Sequence, residues 1–347
     1  MKFPRRGRTT TAVVLAISSL VLAACGSGSA SSKSSNQSAS ATSTTTKTLT
    51  PVTVAYIPIS LFEPLFIAMH NGYFAQHGIA VHLTVVPSGQ SATTLAATNK
   101  VQVVLGGFSA GMFNAIHQGL DFKVVGSMAE EAPGTPANGL VVASSLASKV
   151  TNAGGLKGMK IAVSGGAGST GAYLVSQALA PYHLTLSDVT LVNLAFPEME
   201  SALKSGAVAA AYPPAPFLGA IIKDNVGKLL TGAPVGVAAT GVIYGGAFAK
   251  TKAAQGFFDA LVEASKQLQG NNANSALNLG IVAAATGQKL SLLESEPPNV
   301  FSPDLAPPTQ TLQSMQQVFL ASHNLDYSSL IPASKYIDTS FSTNASK

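Results

Sequence analysis

The sequence predicts an α/β protein with open, largely parallel sheets that is large enough to form two lobes. Strand-like apolar segments alternate with helical segments from residue 51 to about residue 244, a pattern typical of parallel sheets covered by helices. The strand pattern starts again at Lys160-Ile161-Ala162-Val163, as expected for a second α/β unit. Residues 51–347 contain no further low-complexity break and give enough chain for two lobes.

The first unit begins with residues 52–56, whose alternating side chains predict a strand, followed by a helix over residues 64–70 that ends at Asn71-Gly72. Ser88 is a plausible N-cap for the next helix. Further elements are predicted from the same patterns, with strands at residues 81–86, 101–105, 122–127 and 139–143 and helices at 88–98 and 110–118.

The second unit runs from strand 160–163 through a glycine-rich turn into a helix that ends at Leu179. Strands at 189–194 and 208–212, a helix at 199–205 and a mostly helical region after residue 244 complete the pattern. We expect residues 140–143 to pair with residues 242–244 where the chain crosses between lobes. The expected domains are residues 51–145 with 241–347 as lobe I, and 146–240 as lobe II.

The N-terminus has the features of an export signal. Basic residues in positions 2–8 precede an apolar stretch over residues 12–24, which is too short to span a bilayer. It ends in Leu22-Ala23-Ala24-Cys25-Gly26, which fits a bacterial lipobox; the alternative is a chance cysteine after an ordinary signal peptide. We therefore expect removal of residues 1–24, lipidation of Cys25, a flexible tether over residues 25–50, and a location on the outer face of the cell membrane.

The composition excludes several function classes. Four of the 20 basic residues lie in the signal, which leaves 16 lysines against 15 acidic residues and a formal charge of +1, so nucleic-acid binding has no support. All arginines and the single cysteine lie within residues 1–25, which removes bidentate anion contacts, disulfides and thiolate metal sites from the folded part. The charged fraction of 10% is low and suggests either an acidic medium or compositional drift.

Three blocks of sequence resemble a known family. The blocks are Val54-Ala55-Tyr56-Ile57-Pro58 with Asn71-Gly72-Tyr73-Phe74, then residues 155–163, then residues 201–208 with Pro216-Phe217. In this order they resemble the nitrate/sulfonate/taurine and thiamine-pyrimidine (NMT1-like) group of solute-binding proteins of ABC importers, over about residues 52–340. The resemblance implies a type II periplasmic-binding fold, with two α/β lobes, two crossing strands and the ligand between the lobes. It also implies an importer permease as partner.

The chain departs from the family pattern at three positions. Gln102 and Ala209 stand where aspartate is common, and Ala215 stands where glutamate often precedes Pro216. The missing glutamate argues against a cationic ligand. With no arginine, we expect a neutral or weakly anionic organic solute, either sulfonate-, nitrate- or taurine-like or aromatic.

The carboxyl ends of the strands are where ligands bind in open α/β sheets. The turn at residues 164–171 offers Gly168, Ser169 and Thr170 at a helix start, which suits a neutral polar or anionic group; equally, it is a turn with an N-cap. Residues from the other loops complete the candidate ligand-binding set, each with core packing or capping as its alternative: Tyr56, Phe62, Gly107, Phe108, Ser109, Phe196 and Tyr212. Glu63 is expected to be a solvated residue at the cleft edge, with contact to the ligand as the alternative.

The sequence indicates no cofactor, metal site or catalytic residue. Gly166, Gly168 and Gly171 match the spacing of a dinucleotide motif, but no acidic residue follows at the required strand end. The histidines lack the spacing of metal ligands. We therefore expect a monomeric, non-enzymatic binding protein; the alternatives are a pyrimidine-synthase-like enzyme of the same fold and a surface sensor that is not coupled to transport.

Overall fold

The computed structural model describes residues 48–345, and their strands form two five-stranded sheets. In chain order the strands are β1 (Thr50–Tyr56), β2 (Ile79–Val85), β3 (Val103–Gly107), β4 (Phe122–Ser127), β5 (Gly139–Ala143), β6 (Lys160–Val163), β7 (Thr190–Asn193), β8 (Ala210–Ala211), β9 (Gly227–Gly232) and β10 (Thr240–Gly245). The first sheet has the order β2-β1-β3-β10-β4 and the second has the order β7-β6-β8-β5-β9.

Thirteen α-helices connect and cover these strands in the described part of the chain. They are α1 (Glu63–His70), α2 (Tyr73–Gln76), α3 (Gly89–Ala97), α4 (Ala110–His117), α5 (Thr170–Leu179), α6 (Phe196–Ser205), α7 (Phe217–Lys223), α8 (Gly246–Ala249), α9 (Lys252–Gln267), α10 (Ala276–Thr286), α11 (Leu290–Leu293), α12 (Thr309–Ala321) and α13 (Ser340–Ala345). None of the helices within residues 48–345 is long and apolar enough to cross a membrane.

Each sheet combines a parallel part with antiparallel strands. β1 pairs in parallel with β2 and β3, and β6 pairs in parallel with β7 and β8. β10 is antiparallel to β3 and β4, and β5 is antiparallel to β8 and β9. The mixed α/β architecture with two sheets confirms the fold class expected from the sequence, and each sheet with its helices is called a lobe below.

The chain passes between the lobes along residues 128–138 and 233–239, which run side by side. The amide of Glu131 donates to the carbonyl of Val237 at 3.2 Å, and the amide of Gly236 donates to the carbonyl of Glu131 at 2.8 Å. The expected pairing of residues 140–143 with 242–244 is wrong, because β5 lies in the second sheet while Val242 pairs with Leu105 and Gly126 in the first. Both segments are apolar strands, and apolarity alone does not select the partner.

Most predicted elements form, with boundaries shifted by a few residues. β4, β5 and β6 begin and end where the sequence predicts, and Ser88 caps α3 by accepting a hydrogen bond from the amide of Ser91. β9 and α7 were not predicted, because residues 217–232 show neither a clean alternation nor a long helical repeat.

The core of the first lobe lies between its sheet and the C-terminal helices. Phe257, Leu261 and Ala264 follow one face of α9, Leu268 lies at its C-cap, and all four are at most 3% exposed, in line with the mostly helical region expected after residue 244. α9 packs against α1 and α2, and α13 packs against β4 and α9. These contacts hold the sheet rigid, so that the carboxyl ends of β1 and β3 present fixed loops toward the second lobe.

Candidate functional site

A cavity of about 80 Å³ lies between the two lobes. The loops that follow β1, β3, β6 and β8 meet there, together with residues of both crossing segments. Its lining comprises Ile57, Ile59, Leu61, Phe62, Ser88, Gly89, Gln90, Gly107, Phe108, Ser109, Ala129, Glu131, Asn138, Ser164, Ser169, Thr170, Gly171, Leu174, Phe196, Tyr212, Pro214, Ala233, Val237, Ala239 and Thr240. The volume is smaller than the roughly 150 Å³ of an apolar cavity that holds benzene, so the cavity must widen slightly to hold a ring-sized solute.

Three helices begin at this cavity, and each is capped by a serine that lines it. The hydroxyl oxygens of Ser88, Ser109 and Ser169 accept hydrogen bonds from the third amide of α3, α4 and α5 at 3.2, 3.3 and 3.2 Å. The cap uses the oxygen as acceptor, so the hydroxyl hydrogen stays available as a donor. The helix N-termini add positive partial charge, which favours an electron-rich solute atom nearby.

Side-chain hydrogen bonds across the cleft join the lobes around the cavity. The hydroxyl of Thr170 is 2.9 Å from the carbonyl oxygen of Phe108 and 3.3 Å from that of Ala239. The hydroxyl of Ser164 donates to the carbonyl of Pro87 at 3.2 Å. These hydrogen bonds connect the loops after β2 and β3 in the first lobe to the loop after β6 in the second.

Glycine at position 107 is required for this approach of the lobes. A Cβ atom built on Gly107 would overlap the hydroxyl of Thr170 and come within 3.0 Å of its Cβ. A Cβ on Gly168 would come within 2.9 Å of the Cβ of Ala110. The glycines of both loops therefore serve the fit of one lobe against the other.

Aromatic rings form much of the cavity wall. Phe62 and Phe108 come from the first lobe and are fully buried, whereas Phe196 and Tyr212 come from the second. Phe196 stacks on Phe217 with ring centroids 5.8 Å apart, which fixes the orientation of its ring. The wall is suited to a partly apolar solute.

Two buried hydroxyl groups of the lining lack a hydrogen-bond partner among the described residues. They are the phenol of Tyr212, whose residue is 3% exposed, and Oγ1 of Thr240, whose residue is 9% exposed. Burial, reinforced by the nearby Glu131, raises the pKa of Tyr212, so its phenol is a neutral donor. Because buried polar groups are normally satisfied, such groups mark positions for a ligand atom.

Glu131 is the only charged side chain of the lining within the described residues. It is 5% exposed, and its two carboxylate oxygens accept hydrogen bonds from the amide of Ala137 at 2.9 Å and from Nδ2 of Asn138 at 3.0 Å. Burial raises its pKa, and these hydrogen bonds lower it in part. In the described part of the chain, no ion pair involves Glu131.

The structure brings eight of the ten predicted ligand-binding residues to one cavity. These eight are Phe62, Gly107, Phe108, Ser109, Ser169, Thr170, Phe196 and Tyr212. Tyr56 instead packs edge-on against Phe66 at 5.9 Å, and Gly168 faces Ala110 outside the lining. Helix capping and a place in the cavity lining do not exclude each other, since Ser109 and Ser169 cap helices and also line the cavity.

The sequence-based expectation for the cleft was wrong about its carboxylates. Glu131 contributes a carboxylate, although the sequence suggested that none faces the ligand. Glu63 is 3% exposed and does not line the cavity; it is not a solvated residue at the edge, because its position at the start of α1 buries it. Burial raises the pKa of Glu63 to about 8.

Within residues 48–345, no group of three or more His, Cys, Asp or Glu side chains could hold a metal ion.

The predicted lipidation site, Cys25, lies outside the described residues.

Two α/β lobes joined by two crossing segments, with a cavity at the carboxyl ends of their parallel strands, define the periplasmic-binding-protein fold. The model of the NMT1-like family matches residues 45–283, and the chain belongs to that family. This confirms the resemblance seen in the sequence. A comparison with curated protein sequences finds no match.

Solved structures show the same fold at low sequence identity. The alkanesulfonate-binding protein SsuA from Xanthomonas axonopodis pv. citri, bound to MOPS, is 20% identical with a TM-score of 0.68, covering 83% of this chain and 98% of its own. The nitrate-binding protein NrtA from Synechocystis PCC 6803 is 13% identical with a TM-score of 0.71, covering 86% and 88%. A mutant of DSZB in complex with biphenyl-2-sulfinic acid is 17% identical with a TM-score of 0.55, covering 85% and 98%.

The chain therefore has the fold of these alkanesulfonate- and nitrate-binding proteins.

Proposed function

We propose that this protein is the extracytoplasmic solute-binding component of an ABC importer and holds one small, partly apolar organic solute between its lobes. The observation that carries the proposal is the pair of buried hydroxyls of Tyr212 and Thr240 in an interlobe cavity, neither of which has a hydrogen-bond partner among residues 48–345. A protein that kept the fold for structural reasons alone would gain stability by pairing or removing such groups.

Among the solutes that the sequence left open, the lining favours an aromatic compound over a nitrate- or sulfonate-like anion. Four aromatic rings line the cavity, and no basic side chain of the described residues does. A fully charged anion in this cavity would contact helix N-termini and hydroxyl groups, but no cationic side chain of the described lining would balance its charge. The carboxylate of Glu131 in the same cavity would repel it.

A non-enzymatic role is supported by the chemistry of the lining. Neither histidine nor cysteine is present among the described lining residues, so no nucleophile–base pair of the usual kind is assembled there. The hydroxyl of Ser169 is engaged as a helix cap. We propose a monomer that delivers its solute to a permease.

Native mass spectrometry of protein purified from its own source tests the binding proposal. We expect one small molecule per chain, lost on denaturation. Tyr212→Phe removes one unpartnered hydroxyl and is expected to lower occupancy, whereas Tyr182→Phe, an exposed position outside the cavity, serves as the matched control. Ligand-free protein with both variants indistinguishable from wild type would refute the proposal.

Anchoring through Cys25 is the second part of the proposal and rests on Leu22-Ala23-Ala24-Cys25-Gly26. Cys25→Ala is expected to move the protein from the membrane fraction to the soluble fraction, because a protein without acyl chains has no stable hold on the bilayer. Ser27→Ala should remain with the membrane. Fractionation with intact-mass measurement reports both, and a membrane-bound Cys25→Ala protein of unmodified mass would exclude lipidation.

A further inference from the structure

The carboxylate of Glu131 has a fixed position in the cavity. Its backbone joins the two crossing segments through Val237 and Gly236, and its side chain is held by Ala137 and Asn138. The side chain is therefore oriented before a solute arrives, which is the arrangement expected of a specificity-determining group.

The hydrogen bonds to Glu131 leave acceptor capacity unused. A carboxylate has about four lone-pair sites, and the backbone amides of Ala137 and Asn138 together with Nδ2 of Asn138 act on three of them. No lysine, arginine or histidine of the described residues lines the cavity. The remaining capacity is open to a solute atom, and a nitrogen that carries hydrogen is a complementary partner.

The neighbouring polar groups of the lining suit the same kind of solute. Tyr212 and Thr240 have hydroxyls without a partner among the described residues, and a hydroxyl can both accept from a nitrogen and donate to an oxygen. The aromatic rings of Phe62, Phe108 and Phe196 surround the rest of the cavity, and aromatic faces also attract cations.

We propose, on the basis of the solute-binding function inferred above, that the solute is an amine or a similar nitrogen compound on an aromatic or apolar skeleton, and that Glu131 binds its nitrogen. This assigns the chain a solute of opposite head-group charge to the ligands of the alkanesulfonate-binding and nitrate-binding proteins that share its fold.

Three probes with one ring and different head groups test the head-group preference on the ligand-free wild-type protein. Benzylamine is cationic, benzyl alcohol is neutral and benzenesulfonate is anionic. Isothermal titration calorimetry is expected to give a Kd for benzylamine at least about tenfold lower than that for benzenesulfonate, with benzyl alcohol between them. This comparison uses only the wild-type protein, so its result is valid even if a substitution at Glu131 prevents folding.

Two adjacent glutamates provide a matched pair of variants. Glu131→Gln is expected to weaken benzylamine binding about tenfold or more and to leave benzenesulfonate binding unchanged or tighter. Glu130→Gln is the control, because Glu130 is half-buried and does not line the cavity. Thermal melts of both variants establish that the proteins compared are folded.

The outcomes separate this inference from the function on which it rests. Tightest binding of benzenesulfonate, or benzylamine binding that is the same in Glu131→Gln and wild type, overturns the nitrogen assignment while a copurifying solute would still support the binding function. Absence of binding by all three probes also overturns the assignment, and the mass spectrum of the native protein then decides the binding function separately.

Discussion

At the scale of single residues, Gly107 and Thr170 determine how closely the lobes approach. The Thr170 hydroxyl occupies the space where a side chain at position 107 would start, and it donates to the carbonyl of Phe108. A methyl group is small, yet this contact leaves no room for one, because the neighbouring strand and helix cannot shift independently of their lobes.

Gly107→Ala is therefore expected to fold but to close incompletely. The new Cβ meets Thr170 only when the lobes are together, so small-angle scattering should show a larger radius of gyration than wild type. Solute affinity should fall about tenfold or more. Gly245→Ala is the control, since a Cβ there has only the carbonyl of Gln102 at 3.8 Å.

A double variant checks the cause. Gly107→Ala with Thr170→Ala removes the overlapping hydroxyl and is expected to restore part of the closure. A Gly107→Ala protein as compact as wild type, with undiminished affinity, would show that the interlobe contact does not limit closure.

Some residues of the candidate site could be predicted from the sequence, and others could not. Ser109 and Ser169 could be predicted, because a serine between a strand and a helix is a recognisable cap that lies at a carboxyl strand end. Glu131 could not, because it lies in a crossing segment without strand or helix periodicity. Its approach to Asn138 and the cavity depends on the path of two segments about 100 residues apart along the chain.

At the scale of elements, the starts of α3, α4 and α5 combine capping with the site. Each helix begins directly after a loop that lines the cavity, and each cap serine accepts a hydrogen bond from its own helix. Loss of a cap is expected to loosen the first turn and also to alter the cavity wall.

Ser169→Ala is expected to lower the free energy of unfolding by about 1 kcal/mol and to weaken solute binding. Ser275, which caps α10 outside the cavity, gives the control: Ser275→Ala should cost a similar amount in stability without changing affinity. Urea denaturation and calorimetry measure the two effects. Equal affinities in both variants would limit Ser169 to a capping role.

The strands were predicted more reliably than their pairing. β4, β5 and β6 are short apolar runs whose bounds are visible in the sequence, but the pairing of β5 with β8 and β9 rather than β10 reflects the packing of the whole second lobe. β8 is only Ala210–Ala211, so its local signal is weak and its place in the sheet depends on its neighbours.

At the scale of the whole molecule, the buried carboxyl group of Glu63 and the half-buried one of Glu296 link stability to pH. Burial raises the pKa of Glu63 to about 8 and that of Glu296 to about 7. Both groups are therefore neutral in the folded protein at mildly acidic pH. Below about pH 4.5 they are protonated in the folded and unfolded states alike, and their neutral forms fit the interior.

Stability is consequently expected to fall as pH rises. Between about pH 4.5 and pH 7 the unfolded chain loses these protons while the folded protein retains them, so the free energy of unfolding should decrease as pH rises, and the decrease should continue to about pH 8 through Glu63. Thermal melts between pH 3 and pH 8 measure the change. Such a profile favours an acidic medium over compositional drift as the origin of the low charge.

Glu63→Gln is the matched variant, because its neutral amide mimics the protonated carboxyl. It should flatten the loss of stability at the upper end of the window and leave the acidic end nearly unchanged. A wild-type protein that gains stability from pH 4.5 to pH 8 would contradict this account and would leave compositional drift as the explanation.

Lobe closure is a further property of the whole molecule. The sequence divides the chain near residues 145 and 240, and the crossing segments lie at residues 128–138 and 233–239. We propose that these segments are the hinge. The family blocks made the two-lobe fold predictable, but the hinge depends on hydrogen bonds between distant segments such as Glu131 and Val237.

The most direct test of the central claim is a crystal structure of the native protein with its copurified solute. The account predicts one molecule in the interlobe cavity, with a polar atom within hydrogen-bond distance of the carboxylate of Glu131 and of the hydroxyl of Tyr212. A solute bound outside this cavity, or a native protein that crystallises with its lobes closed on an empty cavity, would contradict it.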